Sequence, residues 1–241
     1  MTGLVIAALV FAAAVLQSLS GFGFAIVVMP LLTLLLGLQT AAPLVALTAL
    51  TVYTINAARF RRAINAGEVL RLGLASALGV PIGIWVLSSV DETRVKQALG
   101  LLMIAFALYS LLRPAATSWL PSRMWVYPAG FAAGCLGGAY NTPGPPAIVY
   151  GTLRRWPRDE FRAGMQTLFL VNGALVVTSH VVAGHFTAPV LAYCLYTVPA
   201  LILGILLAAR LDTRVDRDRF RRLVMAMILL LGVSLLLGLG R

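Results

Sequence analysis

Apolar residues run in ten blocks along this chain, at about 3–19, 24–38, 41–60, 71–89, 95–112, 125–138, 145–153, 163–183, 188–209 and 222–239. Several blocks approach the ~20 residues with which an α-helix crosses ~30 Å of hydrocarbon. A polar joint near 113–124 divides the chain into 1–112 and 125–241, five blocks to a side. The two sides resemble each other. At a fixed offset, Gly21 faces Gly137, Pro30 faces Pro146, Thr51 faces Thr167, Asn56 faces Asn172 and Ala58 faces Ala174. Apolar composition alone rarely aligns glycine, proline and asparagine in this way.

Loop charge orients the blocks. The joint after the third block is basic (Arg59, Arg61, Arg62), whereas its counterpart around Ala183-Gly184-His185 has no Lys or Arg. The joint before the third block reverses this: 37–42 is uncharged, and its counterpart carries Arg154, Arg155, Arg158 and Arg162. Short basic loops stay on the cytoplasmic side, so matching joints lie on opposite faces and the halves read as an inverted-topology repeat. With the loops at 59–71, 154–162 and 210–222 all cytoplasmic, the first two blocks of each half cross an even number of times. The block 145–153 rises only ~14 Å as a helix, too little to span. The predicted fold is an all-α polytopic membrane protein, each half a broken helical hairpin followed by three spanning helices.

Composition agrees: 60% of the residues are hydrophobic and 11% charged, against roughly 25% charged in soluble domains. The net charge of +11 resides in the short loops, which reads as positive-inside topology and not as a nucleic-acid surface. The start, Met1-Thr2-Gly3, lacks the basic region of a cleaved leader, so the first block is expected to be retained.

The joints inside the hairpins are unusual. GGAYNTPGPPAIVYG (137–151) and SGFGFAIVVMP (20–30) would leave backbone groups unpaired in lipid, so they belong in a protein-lined interior. Pro145 and Pro146 suit the first turn of a helix. Gly137, Gly138 and Gly144 allow positive φ or close approach, and Asn141 and Thr142 are expected to cap the helix that follows. Two helix N-termini meeting from opposite sides would present N–H groups and positive dipole ends to an anion. The bland alternative is a kink with tight small-residue packing.

All eight carboxylates (Glu68, Asp91, Glu92, Asp159, Glu160, Asp212, Asp216, Asp218) fall in or beside loops, so no buried acid is expected for a cation or proton relay. Mid-block positions instead hold neutral groups: Gln17, Ser18, Ser20, Tyr53, Asn56, Gln166, Thr167 and Asn172. Asn56 shares a face with Tyr53 and Arg59. The two asparagines read equally as interhelical hydrogen-bond partners, and Arg59 reads as snorkelling to the interface. His180, near an external helix end, is a weaker candidate for proton coupling. Cys135 and Cys194 read as core residues. No nucleotide-binding motif, metal-ligand spacing or nucleophile–base pair is recognisable, so neither cofactor nor metal is expected and an enzyme is disfavoured.

The runs SGFGFAIVVMPLL, GCLGGAYNTPGPPAIVYG and ARLDTRVDRDRFRRLVMAMILLLGVSLLL, duplicated in their order over nearly the whole chain, resemble the TauE/SafE family of sulfite and organosulfonate exporters. The resemblance implies a multi-pass carrier in a bacterial cytoplasmic membrane, moving a small sulfur-containing anion without cofactor or nucleic acid. By motif position it implies substrate contacts at Gly21, Gly23, Asn141, Thr142, Pro143 and Gly144, and less directly at Asn56 and Asn172. The full candidate set adds Gln17, Ser20, Phe22, Gly138 and Gln166. At the same offset Ala25 stands where Asn141 stands in the second half, so the half-sites are expected to differ. A carboxylate carrier and a non-transporting membrane scaffold remain the alternatives, and monomer or homo-oligomer is left open.

Overall fold

The computed structural model describes residues 2–112, 122–211 and 217–238. Most of the 113–124 joint, and 212–216 of the basic 210–222 loop with Asp212 and Asp216, lie outside the described residues. Ten α-helices follow the ten blocks: α1 (Thr2–Ser20), α2 (Phe24–Leu36), α3 (Leu38–Phe60), α4 (Ala66–Ser89), α5 (Glu92–Leu112), α6 (Val126–Tyr140), α7 (Gly144–Leu153), α8 (Arg158–Val182), α9 (Ala188–Leu211) and α10 (Arg217–Leu237). No strand occurs among the described residues.

Six of these helices, α1, α3, α4, α5, α8 and α9, are long and apolar enough to cross a bilayer. The chain is a multi-pass membrane protein. One member of that set differs from the expectation: α1, at 19 residues, has spanning length although it belongs to a hairpin, whereas the apolar part of α10 is only 222–237. The helices turn large side chains outward. On α4, Leu70, Leu74, Leu78 and Trp85 form one exposed stripe at 61–72% of full exposure, as lipid-facing residues at helical spacing do.

The opposite face of α4 packs on α6 almost backbone to backbone. Gly79 and Gly83 on α4 interleave with Gly130, Gly134 and Gly138 on α6, and a Cβ at any of them would run into a facing carbonyl. Small residues repeating every four positions permit this approach, which gives dispersion contact and lets membrane helices associate without a hydrophobic driving force. Gly137 and Gly138 are therefore ordinary helical residues of α6 and not positive-φ ones: Gly138 makes room for Val80 and Gly137 for the Asn172 amide.

Helix pairings come in matched sets. α1 packs on α9 as α6 packs on α4; α2 on α3 as α7 on α8; α3 on α9 as α8 on α4. α3 meets α8, and α5 meets α10. One pairing lacks an equally close counterpart among the described residues. α2 packs on α10, but between α5 and α7 lies an apolar groove of about 480 Å³ lined by Leu102, Phe106, Tyr109, Pro145, Pro146 and Val149 among others. The basic joints at 61–66 and 154–160 lie on one face, where Asn65 Nδ2 donates to Glu160 (2.8 Å).

Candidate functional site

Both hairpins reverse through the same device. α1 ends at Gly21 (φ 89°) and α6 at Asn141 (φ 54°), each in the left-handed region. Each amide N–H closes on a carbonyl four residues back, Gly21 on Gln17 and Asn141 on Gly137, both at 2.8 Å. Glycine takes this conformation without a Cβ penalty, and asparagine is the side chain that best tolerates it. The structural partner of Asn141 is thus Gly21 and not Ala25, and Gly21 does not match Gly137. The constant offset in sequence slips by one helical turn at the breaks.

The expected capping role also changes. Asn141 and Thr142 finish α6 and do not start α7, whose N-cap is Pro143 with no side-chain cap. Asn141 Nδ2 reaches across to the Ala42 carbonyl of α3 (3.0 Å), and Thr142 Oγ1 donates to Tyr140 (2.9 Å). Pro145 and Pro146 do fall in the first turn of α7, which removes two of its N–H donors.

At the first break the polar side chains converge. Gln17 Oε1 accepts the Phe24 N–H that opens α2 (2.9 Å), and its Nε2 donates to Gln166 Oε1 on α8 (3.2 Å). Gln166 Nε2 donates to the Gly21 carbonyl (2.7 Å), and Ser20 Oγ donates to Leu16 (2.7 Å). The guanidinium of Arg162 donates to the Leu19 carbonyl and lies 5.5 Å from the Phe60 ring centroid. Cations and donors here meet the carbonyl end of α1, where the helix dipole is negative. Gly23 (φ 108°) begins α2, and Phe22 stands edge-on to Phe106 of α5 at 6.4 Å. Asn56 Nδ2 adds a bond to Ser18 beside this cluster (3.2 Å). Its Oδ1 is buried with no hydrogen-bond partner among the described residues, a state that costs roughly 1–3 kcal/mol.

Asn172 stands apart from that group. Its Nδ2 donates to Ser76 of α4 (2.8 Å), so the two asparagines bind serines and not each other. Where the hairpins approach each other the surroundings are apolar: a Cβ added at Gly144 would sit 3.7 Å from Ile26 of α2 and 3.6 Å from Phe169 of α8. Gln17, Ser20, Gly21, Phe22, Gly23, Gln166 and Asn56 are therefore gathered at the first break. Gly138, Asn141, Thr142, Pro143, Gly144 and Asn172 surround the second.

Two charged residues escaped the sequence reading. Arg162, taken as a loop cation, is 4% exposed; its spacing of four from Gln166, which places both on one face of α8, was the available signal. Glu68, taken as a loop acid, is 8% exposed. It lies in the first turn of α4 behind its cap Asn65, a position that looked peripheral because only the fold brings α7 over it. Arg59 is exposed, as a snorkelling residue should be.

The structure is that of a helical membrane protein with two broken hairpins and a buried polar cluster at the first of them. The family model "Sulfite exporter TauE/SafE" matches residues 6–235, and the chain belongs to that family. It is 25% identical over 237 residues, covering 95% of this chain and 92% of its relative, to a protein of Cupriavidus necator named probable sulfite/organosulfonate exporter TauE. No solved structure matches the chain.

Proposed function

We infer that this protein is a secondary transporter that exports a small sulfur-containing anion, such as sulfite, sulfoacetate or another organosulfonate, across a bacterial cytoplasmic membrane. The observation that carries this reading is the convergence of Gln17, Gln166, Arg162 and Asn56 on the first break. Three buried amides and a guanidinium form a donor-rich cluster inside a family of sulfite exporters. Sulfonate and sulfite oxygens are acceptors, and such donors desolvate them at lower cost than an apolar interior would.

Alternating access between inverted halves is the motion that fits. The matched helix pairings and the opposed loop charges support two structurally equivalent halves of opposite orientation. α3 and α8 cross at the centre, where the Tyr53 and Phe169 rings lie 5.2 Å apart. Moving one negative charge outward gains ~2.3 kcal/mol per 100 mV at a negative-inside potential. Export thus needs no buried acid at the breaks themselves.

The test is efflux from proteoliposomes loaded with sulfite, sulfoacetate, taurine or lactate under an imposed potential. Wild type and Gln166→Leu are compared at equal folded incorporation. The expected result is potential-dependent efflux of a sulfur oxyanion, reduced at least about tenfold in the variant. Lactate efflux alone would overturn the substrate, and no flux of any anion would overturn the carrier.

A further inference from the structure

The buried carboxylate of Glu68 takes no part in the polar cluster described above. Its Oε2 accepts from Tyr150 Oη (3.2 Å) and Trp156 Nε1 (3.0 Å), and its Oε1 pairs with the Arg154 guanidinium (2.8 Å). All three donors belong to the last turn of α7 and the joint that follows it. The chain is bent to deliver them: Arg155 is left-handed (φ 53°), and Trp156 N–H returns to the Gly151 carbonyl (3.1 Å). The indole packs edge-on against Tyr150 with centroids 5.8 Å apart. It fills space left by Gly151 and Gly164, where an added Cβ would lie 3.0 and 2.8 Å from the ring. Gly164 sits on α8 between Arg162 and Gln166, so the indole abuts the helix that holds the first break.

Among the described residues the first hairpin has nothing comparable. Glu68 is the third residue of α4, and the third residue of α9 is Val190, equally buried but apolar. The end of α2 carries Leu34 and Leu36 before a one-residue turn at Gly37. Meanwhile, where α2 packs on α10, α7 faces α5 across the apolar groove. The second hairpin thus borders a groove along one side and is tied at one end. The tie is also incompletely satisfied, since Arg154 Nε is buried with no partner among the described residues. Full satisfaction would rigidify such a network, and here one donor is left over.

We propose that Glu68, Tyr150, Arg154 and Trp156 form a latch that holds the α7 hairpin shut on the face bearing the basic loops, and that α7 swings into the α5–α7 groove when the latch parts. This rests on the carrier reading for its purpose, but its test does not need transport. Ala147, fully buried on α7, becomes a reporter as Ala147→Cys in a Cys135→Ala, Cys194→Ala background. Labelling by a membrane-impermeant maleimide is followed in inside-out vesicles, with monodisperse elution as the check of folding.

Glu68→Gln removes the charge and is expected to raise the labelling rate about tenfold, the population shift from losing one charge-assisted bond. Trp156→Phe keeps an aromatic ring but loses the Nε1–H bond and part of the indole packing, so a rise of at least about threefold is expected. The exchange Glu68→Arg with Arg154→Glu restores the ion pair but leaves Trp156 Nε1 without an acceptor. Its labelling is therefore expected to be slower than in Glu68→Arg alone and faster than in the wild type, and no slowing relative to Glu68→Arg would count against the latch. Wild-type rates in both single variants overturn the latch. If Glu68→Gln does not fold, an unchanged rate in Trp156→Phe overturns it alone. Faster labelling in protein that moves no anion would keep the latch and reject the exporter. Anion flux with unchanged labelling would do the reverse.

Discussion

The two breaks make the same reversal by different means. Each begins with a left-handed residue and a 2.8 Å amide closure, and there the likeness ends. The first is flanked by Gly21 and Gly23 and is held by side chains, Gln17 from its own helix and Gln166 and Arg162 from the other half. The second is stiffened covalently by Pro143, Pro145 and Pro146, with one amide tie to Ala42. A pliant backbone needs chemistry around it, whereas a rigid one needs little. The polar cluster therefore gathers at the first break, and the swing proposed above belongs to the second.

The largest effect should come from the support of the second hairpin. Gly134→Ala drives a Cβ into the Ser76 carbonyl with no flexible side chain to yield, and is expected to cost about 3 kcal/mol or more. Gly204→Ala, at the matching α1–α9 contact, meets Phe11 O at 2.7 Å and an Ala14 methyl and should cost less. Thermal unfolding in detergent compares them, and equal losses would erase the difference between the two supports.

Next in size is Gln166→Leu, which leaves the Gly21 carbonyl and Gln17 Nε2 only their long 3.5 Å contact with each other. A loss of about 2–4 kcal/mol is expected, again read from thermal unfolding; an unchanged melting temperature would mean that the first break does not need its side chains. Asn141 then sharpens the contrast. Asn141→Gly loses one hydrogen bond, about 1 kcal/mol, whereas Asn141→Ala adds a left-handed cost of ~1–2 kcal/mol. Equal stability of the two would deny that conformation matters there. Smallest is Arg59→Gln, exposed and lying over Phe60 at 5.2 Å. It should stay within about 0.5 kcal/mol, whereas Arg162→Gln, beside the same ring but buried, should exceed 1 kcal/mol.

By itself the sequence determined the ten helices, the two interruptions and the membrane class. Apolar length, prolines and glycines act locally, and a bilayer leaves the backbone few options besides helix. It also marked Gln17, Gln166, Asn56 and Asn172 as interior polar residues, which their burial bears out. Tertiary structure alone decided which of these meet. Gln17 and Gln166 are 149 residues apart, and Asn172 turned to Ser76 because α8 crosses α4 there. The equivalence of Gly21 and Asn141 was hidden because positive φ is a property of backbone conformation that two different residues satisfy. Glu68 and Arg162 looked like loop charges because position along a helix does not reveal what folds over its end. Burial of a charge is set by the neighbours that arrive, and here they arrive from the other half of the chain.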